Sequence, residues 1–486
     1  MEVALGLYIY IYCNYMSAKL KSGTLSFWGL VFFAVTVIFP AGAFAVTGVT
    51  AMDYAGTTAP LAFLIGGATL FLAIIAIYIF SSKISNAGGY YKYVESSVNN
   101  KYLSKSVGMY QLFWVVGDMI AGSIIVGWFL WTGLITLTGY SLPLFAVLLM
   151  AFITPVIYLI VGYFSIQVSQ RIALVSGIIQ IGFFLILALA LIIKAPYNGA
   201  QYFNIANSTN GLHGFFLAMV VGAFLAYGGY GAIVSFGEEA KLPKQTLKKA
   251  IVTALLIMVA FDTIVVYSLE ASSGPNLGTA LQYFAPGLYL TKQYFGIVLT
   301  LIAFAIVEIA QLLSPVLFGN SASRTIFALS RDGLLPAVLK KVHPKYGSPY
   351  MSVIAVFITV VIGVIATVTP LVTLYGESNG LFDSFVIWGT AITVFTLIYH
   401  IIVSESLPVL MHRIKQLNFF SHILGPTVGS IIMAIAIYYS LQDLTGPLKA
   451  VLVMIPVWII ISLVVIYVER NKVKMEPLFT EDHRGN

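Results

Sequence analysis

The chain has 486 residues, of which 59% are hydrophobic and only 9% carry a charge. Soluble domains have about 25% charged residues, so this composition excludes an ordinary soluble domain. The net charge of +7 would suit a nucleic-acid partner, but the basic residues lie in short segments between apolar runs, and we expect no nucleic acid. The single cysteine, Cys13, excludes an intramolecular disulfide and a cysteine metal cluster, and we expect no metal and no cofactor.

Residues 1–16 are apolar and rich in tyrosine, but they are too short to span a bilayer and lack the basic start of a signal peptide. Two interpretations stay open for this stretch. It is an interfacial segment, or translation begins at Met16. In either case we assign residues 1–26 to a cytoplasmic N-terminal segment.

Apolar runs of about 20 residues predict twelve membrane-spanning helices, and hence an all-α polytopic membrane protein. The predicted spans are 27–52, 60–81, 107–137, 143–162, 172–194, 214–237, 249–270, 294–319, 350–369, 381–408, 422–442 and 447–468. If the N-terminus is cytoplasmic, 22 of the 25 lysines and arginines lie on the cytoplasmic side. We therefore expect a multi-pass protein of the cell membrane with both termini inside, including the tail 469–486.

The long cytoplasmic connections 82–106 and 320–349 contain helix-like patterns, such as Gly88 to Val94. We interpret these patterns as interfacial helices that act as latches or gates.

Two predicted spans are interrupted. The first contains Phe39-Pro40-Ala41-Gly42-Ala43-Phe44, and the sixth contains Tyr227-Gly228-Gly229-Tyr230-Gly231. Proline removes a backbone donor, and a freed backbone group in hydrocarbon costs several kcal/mol unless it finds a partner. One such break is as readily an ordinary proline kink. Two breaks at matching places in two halves indicate a transporter binding site.

Three stretches resemble the amino acid–polyamine–organocation (APC) permeases. Pro40-Ala41-Gly42-Ala43-Phe44 is similar to the family's Gly-Ser-Gly-Ile-Phe, and it is followed by Asn86-Ala87-Gly88-Gly89-Tyr90. Ala226 to Gly231, leading to Glu238-Glu239-Ala240-Lys241-Leu242-Pro243, resembles the signature of the sixth helix. Ser323-Arg324 through Arg331-Asp332-Gly333, then Gly347-Ser348-Pro349, resembles the loop after the eighth.

The resemblance implies a LeuT-like fold with discontinuous first and sixth helices. Inverted repeats would cover 27–194 and 214–408, with two peripheral helices at 422–468. It also implies a secondary active transporter of amino acids, working by alternating access as a monomer or homodimer in the lipid bilayer. An exchanger of amino acids or polyamines and a transporter-like nutrient sensor remain alternatives.

An α-amino acid carries a carboxylate and an ammonium, and a broken helix offers partners for both. We place the carboxylate on the backbone N–H groups of Ala41, Gly42 and Ala43, and the ammonium on carbonyls near Ile38 and between 224 and 227. Specificity would come from aromatic side chains beside the small residues Gly228 and Gly229; these aromatics are Phe39, Phe44, Phe224, Tyr227 and Tyr230. Helix packing is the alternative role for each aromatic. Neither interruption contains a charged side chain, which favours a neutral or apolar amino acid.

Charged residues inside spans are costly and are candidates for function. Glu308, Asp118 and Asp262 lie in the middle of predicted spans, and Asp118 also matches a polar substrate-site position of some relatives. A protonated carboxyl bonded to a neighbouring helix is the structural alternative. Proton-coupled relatives carry a lysine where this chain has Gln180, so we expect a coupling proton on Glu308 or on Asp118. Sodium coupling and ion-free exchange stay open.

Glu238 and Glu239 are predicted to form a cytoplasmic gate with Arg324 and Arg331, although solvated loop charges would give the same pattern. The sequence contains no His-Glu-x-x-His, Gly-x-Ser-x-Gly or phosphate-loop motif, so we do not expect an enzyme. His400 lies within the tenth predicted span and is interpreted as a packing or interface residue.

Overall fold

The computed structural model describes residues 19–442 and 444–476. Twelve stretches of this part are helical, long and apolar enough to cross a membrane, which confirms the predicted fold class. In chain order, spans 1 to 12 are Phe27–Ala45, Thr47–Lys83, Lys101–Thr138, Leu144–Tyr163, Ile166–Lys194, Gly211–Phe236, Pro243–Leu281, Ile297–Arg331, Tyr350–Tyr375, Glu377–Arg413, Phe419–Gln442 and Gly446–Val468.

Several spans consist of more than one helix. Span 1 contains Phe27–Ile38 and Pro40–Ala45, and span 2 contains Thr47–Ala55, a 3₁₀ turn at Gly56–Thr58, and Ala59–Lys83. Span 7 contains Pro243–Ser273, a 3₁₀ turn at Gly274–Asn276, and Leu277–Leu281. Span 11 opens with a π turn at Phe419–Leu424 and span 12 with a 3₁₀ turn at Gly446–Lys449; Gly425–Gln442 and Ala450–Val468 follow.

Further helices connect the spans. The two longer ones are Tyr90–Val98 and Pro286–Phe295, and the short 3₁₀ turns are Ala200–Phe203, Ile205–Asn207 and Ala337–Lys340. Tyr90–Val98 lies in the connection where the sequence predicts an interfacial helix. Most of its residues are buried, because it packs against spans 3 and 10.

Span 3 is central to the packing because it lies along both span 8 and span 10. Glycines allow the close approach. A Cβ at Gly122 would lie 2.1 Å from Pro315 of span 8, and a Cβ at Gly117 would lie 2.4 Å from Ile392 of span 10. Small residues at helix contacts are the usual means of packing helices in a membrane. Span 7 packs along spans 1 and 2, and span 5 packs against span 1.

The span boundaries differ from the prediction in particular places. The first two spans are divided at Val46 rather than after residue 52, and span 3 begins at Lys101, six residues before the predicted start. Span 3 is extended because Asn100 caps its first turn, accepting from the N–H groups of Tyr102 and Leu103. The two interpretations of residues 1–16 apply to a stretch outside the described residues. The predicted tail also lies outside them from residue 477 onward. The inverted repeats stay a prediction.

Candidate functional site

The interruption in span 1 is centred on Phe39. This residue adopts a left-handed conformation, with φ 67° and ψ 73°, between the helices Phe27–Ile38 and Pro40–Ala45. Pro40 explains the position, because proline disfavours the helical conformation of the preceding residue and has no N–H to continue the hydrogen bonding.

Neighbouring spans satisfy the backbone around Phe39. The side chain of Gln180 in span 5 accepts a hydrogen bond from the Ala41 N–H at 3.3 Å. Ser314 of span 8 donates to the carbonyl of Val37 at 3.0 Å. The break is therefore packed against protein, as the cost of a free backbone group in hydrocarbon requires.

Span 6 stays helical through its interruption but changes helix type. It runs as an α-helix at Gly211–Leu217, a π-helix at Ala218–Phe224, a short α turn at Leu225–Tyr227 and a 3₁₀-helix at Gly228–Phe236. Gly229 lies against the backbone of span 1, and a Cβ there would be 2.7 Å from the nitrogen of Ile38. The two interrupted stretches thus touch each other, and glycine is needed at the contact.

A cavity lies beside this contact, lined mainly by spans 1, 3, 6, 8 and 10 with smaller contributions from spans 2 and 11. Most of its lining is apolar or aromatic, including Trp114, Phe318 and Phe385. Six of the eleven predicted substrate-site residues line it: Phe39, Asp118, Phe224, Gly228, Gly229 and Tyr230. A mainly apolar cavity with a few polar groups is the usual form of a small-molecule site.

The other five predicted substrate-site residues do not line the cavity: Ala41, Gly42, Ala43, Phe44 and Tyr227. Phe44 packs on Phe184 of span 5 at 4.9 Å, and the Tyr227 hydroxyl donates to the carbonyl of Phe63. The Ala41 amide is bonded to Gln180 and the Gly42 amide to the carbonyl of Phe39 at 2.8 Å. The predicted carboxylate cradle stays a prediction, and two of its three amides have protein partners in this structure.

Several further polar residues of the cavity were not predicted as binding residues, and Gln311 and His400 are the largest of them. Gln311 of span 8 is buried, yet neither its amide oxygen nor its amide nitrogen has a hydrogen-bond partner in the described part of the chain. His400 of span 10 is bonded through Nε2 to the hydroxyl of Tyr230 at 2.9 Å and through Nδ1 to the carbonyl of Thr396 at 2.7 Å. A polar residue within an apolar span was the available signal for both.

The other two acids predicted as candidates within spans, Glu308 and Asp262, do not line the cavity. Glu308 sits one helical turn before Gln311 on span 8, and its Oε2 has no hydrogen-bond partner among the described residues. Asp262 is buried in span 7, and its Oδ1 has no such partner either. The structural alternative requires the carboxyl to be hydrogen-bonded to a neighbouring helix. Among the described residues, neither Oε2 of Glu308 nor Oδ1 of Asp262 makes such a bond.

The four predicted gate residues form two ion pairs. Arg324 and Glu239 make a two-pronged contact, Nε to Oε2 at 2.8 Å and Nη2 to Oε1 at 2.9 Å, and both side chains are almost fully buried. Arg331 and Glu238 make a second such contact, with Nη2 to Oε1 at 2.7 Å, and are partly exposed. The first pair is not a pair of solvated loop charges. Whether either pair acts as a gate stays a prediction.

A second ionic cluster lies beside the first. Lys92 and Lys105 each contact both Glu95 and Asp332, at 2.5 to 2.8 Å. Burial alone would raise the pKa of Asp332, but the ammonium groups of Lys105 and Lys92 outweigh it and hold the pKa below its usual range. The C-terminal tail covers this cluster, since the N–H of Glu476 donates to Glu95. Lys92 and Glu95 are three residues apart on one helix, whereas the contacts of Asp332 with Lys92 and Lys105 join segments distant along the chain and were not predicted from the sequence.

Two interrupted spans that touch beside an apolar cavity are an arrangement found in membrane transporters. The family model described as "Amino acid permease" matches residues 29–478. The chain therefore belongs to the amino acid permease family, a family of transporters.

Individual relatives are more distant. The chain is 28% identical to the branched-chain amino acid permease BcaP of Bacillus subtilis over 224 residues, 45% of this chain and 44% of that protein. It is 25% identical to the methylthioribose transporter of Bacillus subtilis over 368 residues, 69% of this chain and 74% of that protein. It is 26% identical to cationic amino acid transporter 9, chloroplastic, of Arabidopsis thaliana over 357 residues, 66% of this chain and 57% of that protein. The match to the first relative thus spans less than half of that relative's length.

Proposed function

We propose that the protein is a secondary active transporter that moves neutral or apolar amino acids across the cell membrane by alternating access. The observation that carries this proposal is the apolar cavity at the contact of spans 1 and 6, lined by Phe39, Phe224 and Tyr230. An apolar side chain of a substrate fits this lining by burial of its hydrocarbon surface. The family supports amino acids as the substrate.

The buried pair Arg324–Glu239 gives the proposed cycle a closed state. Both partners are almost fully buried, which supports the proposal that this pair closes the cytoplasmic side of the bundle. Opening that side requires the pair to separate and to be hydrated. A buried ion pair is only marginally stable relative to its hydrated parts, so a rearrangement that exposes it to water is energetically feasible.

The transporter is proposed to use a proton as coupling ion. Asp118 in the cavity and Glu308 one turn outside it are the candidate carriers, because neither has a cationic partner among the described residues. Coupling is proposed to differ from that of relatives with a lysine at the position of Gln180. The side chain of Gln180 carries no charge and accepts a hydrogen bond from the N–H of Ala41. We propose cytoplasmic termini from the distribution of lysine and arginine.

The test is uptake of labelled leucine into proteoliposomes that contain the purified protein. An inward proton gradient is expected to drive accumulation, a protonophore to abolish it, and replacement of sodium by choline to leave it unchanged. Binding of leucine without accumulation would contradict transport and would favour a nutrient sensor. Accumulation only against a preloaded amino acid would identify an exchanger.

A further inference from the structure

The cavity carries one carboxyl group and no permanent cation in its described lining. Asp118 of span 3 supplies the carboxyl, and neither lysine nor arginine lines the cavity. Gln311 is 3% exposed and its amide has no hydrogen-bond partner in the described part of the chain. Buried polar groups are normally hydrogen-bonded, so the unpartnered amide at the cavity wall has a donor and an acceptor available for an occupant of the cavity.

Span 10 and the helix Tyr90–Val98 present titratable groups near Asp118, but none of them is a permanent cation. His400 bonds to the carbonyl of Thr396 through Nδ1 and to the hydroxyl of Tyr230 through Nε2. A carbonyl only accepts, so Nδ1 is the donor, and a neutral ring whose Nε2 accepts from Tyr230 satisfies both bonds. Tyr399 packs on Trp114 of span 3 at 5.8 Å, and Tyr90 packs on His400 at 5.2 Å.

The remaining walls are uncharged. Span 8 contributes Gln311, Ser314, Pro315 and Phe318 to the lining, and spans 1 and 2 contribute apolar residues and Thr47. From span 6, Tyr230 is the one titratable residue of the lining. The charge of Asp118 must therefore be balanced by a proton or by the occupant of the cavity, because an uncompensated charge in the membrane interior is costly.

We propose that Asp118 balances the charge of the occupant: an amino acid is bound together with a proton on Asp118, and an apolar primary amine is bound by the ionised carboxylate. This inference rests on the proposed function and extends the ligands of the same cavity to small apolar amines. An amino acid zwitterion has no net charge, so the neutral carboxylic acid of Asp118 keeps the occupied cavity neutral. A protonated amine has one positive charge, which the carboxylate cancels after its proton has left to water.

The proposal predicts opposite pH dependences for two ligands with the same side chain. Leucine gains a proton with binding, so its Kd rises by up to about tenfold per pH unit once Asp118 is ionised. For 3-methylbutylamine, which is leucine without its carboxylate, Kd falls by up to about tenfold per pH unit while Asp118 is protonated. The amine itself stays protonated below about pH 10, as a lysine side chain does.

The experiment is isothermal titration of the purified protein with each ligand from about pH 5 to about pH 8. In Asp118→Asn the amide has nearly the shape of the protonated carboxyl, but it cannot lose a proton. This variant is expected to bind leucine independently of pH and to lose the amine, and its leucine binding shows that it is folded. Asp53→Asn removes an exposed carboxylate of span 2 that does not line the cavity, and both opposite slopes are expected to remain.

Slopes of the same sign for both ligands, or no amine binding at any pH, would overturn the inference. Amine binding that survives in Asp118→Asn would overturn it as well. Leucine uptake in proteoliposomes is a separate measurement, so a transporter of leucine that ignores the amine leaves the proposed function intact. Conversely, amine binding with the expected slope and no leucine binding or uptake would remove the proposed function.

Discussion

The contact between spans 1 and 6 is most directly tested at two adjacent glycines. A Cβ at Gly229 would lie 2.7 Å from both the nitrogen of Ile38 and the carbonyl carbon of Val37. A Cβ at Gly228 would meet nothing within 4 Å. Both glycines line the cavity and both belong to the same 3₁₀-helix. Gly229→Ala and Gly228→Ala therefore differ in one property, the space available for a methyl group.

The expected magnitude follows from what must move. The three atoms nearest to the Gly229 Cβ belong to the span 1 backbone, which cannot rotate away as a flexible side chain can. An inserted methyl group in a packed interior costs about 1–3 kcal/mol. For Gly228→Ala we expect a change within about 0.5 kcal/mol or a small stabilisation, because alanine restricts the unfolded chain more than glycine does.

The assay is thermal unfolding of the two purified variants in one detergent, followed by leucine binding. We expect Gly229→Ala to unfold about 2–6 °C below the parent and to bind leucine more weakly, since Ile38 and Gly229 both line the cavity. Gly228→Ala should unfold at the parent temperature. Equal unfolding temperatures for the two variants would refute the close contact of spans 1 and 6.

Three further substitutions test other parts of the molecule. Gly42→Leu is expected to abolish leucine uptake with normal membrane expression, because a Cβ there lies 2.5 Å from the cavity-lining ring of Phe39; full uptake would remove this role. Glu308→Gln is expected to keep the pH dependence of leucine binding, because Glu308 does not line the cavity. Loss of the pH dependence in this variant would assign the proton site to Glu308 instead of Asp118. Arg324→Gln leaves Glu239 buried without a cation and should lower stability by about 3–5 kcal/mol in thermal unfolding, partly restored by adding Glu239→Gln; an unfolding temperature equal to the parent's would contradict the buried pair.

Glu308 and Gln311 illustrate how far polar residues within apolar spans can be interpreted. The sequence places both on one span and one turn apart, and each is a candidate for function. Only the packing separates them, because Gln311 faces the cavity and Glu308 does not. Helical periodicity gives relative directions around an axis, but it does not say which neighbouring helix each face meets.

His400 and the ion pairs of Arg324 and Arg331 depend on long-range contacts. His400 was interpreted from sequence as a packing residue, but in the structure it lines the cavity. There it is hydrogen-bonded to Tyr230, which lies 170 residues earlier in the chain and lines the same cavity. The four gate residues were named from their charge and position, yet the assignment of Arg324 to Glu239 and of Arg331 to Glu238 required the structure. Opposite charge shows that each arginine could pair with either glutamate, and only the distances in the structure show which pairs form.

The sequence by itself determined the class of fold, the twelve spans and an interruption between Phe39 and Phe44, which the structure narrows to Phe39. Hydrocarbon demands long apolar helices, and Pro40 has no N–H with which to continue the hydrogen bonding of the helix before it. The tertiary structure decided what the break is used for. It directs the amides of Ala41 and Gly42 to protein partners and leaves Asp118 and Gln311 facing the cavity. That choice depends on which helices meet, and such contacts between distant segments follow from packing rather than from local pattern.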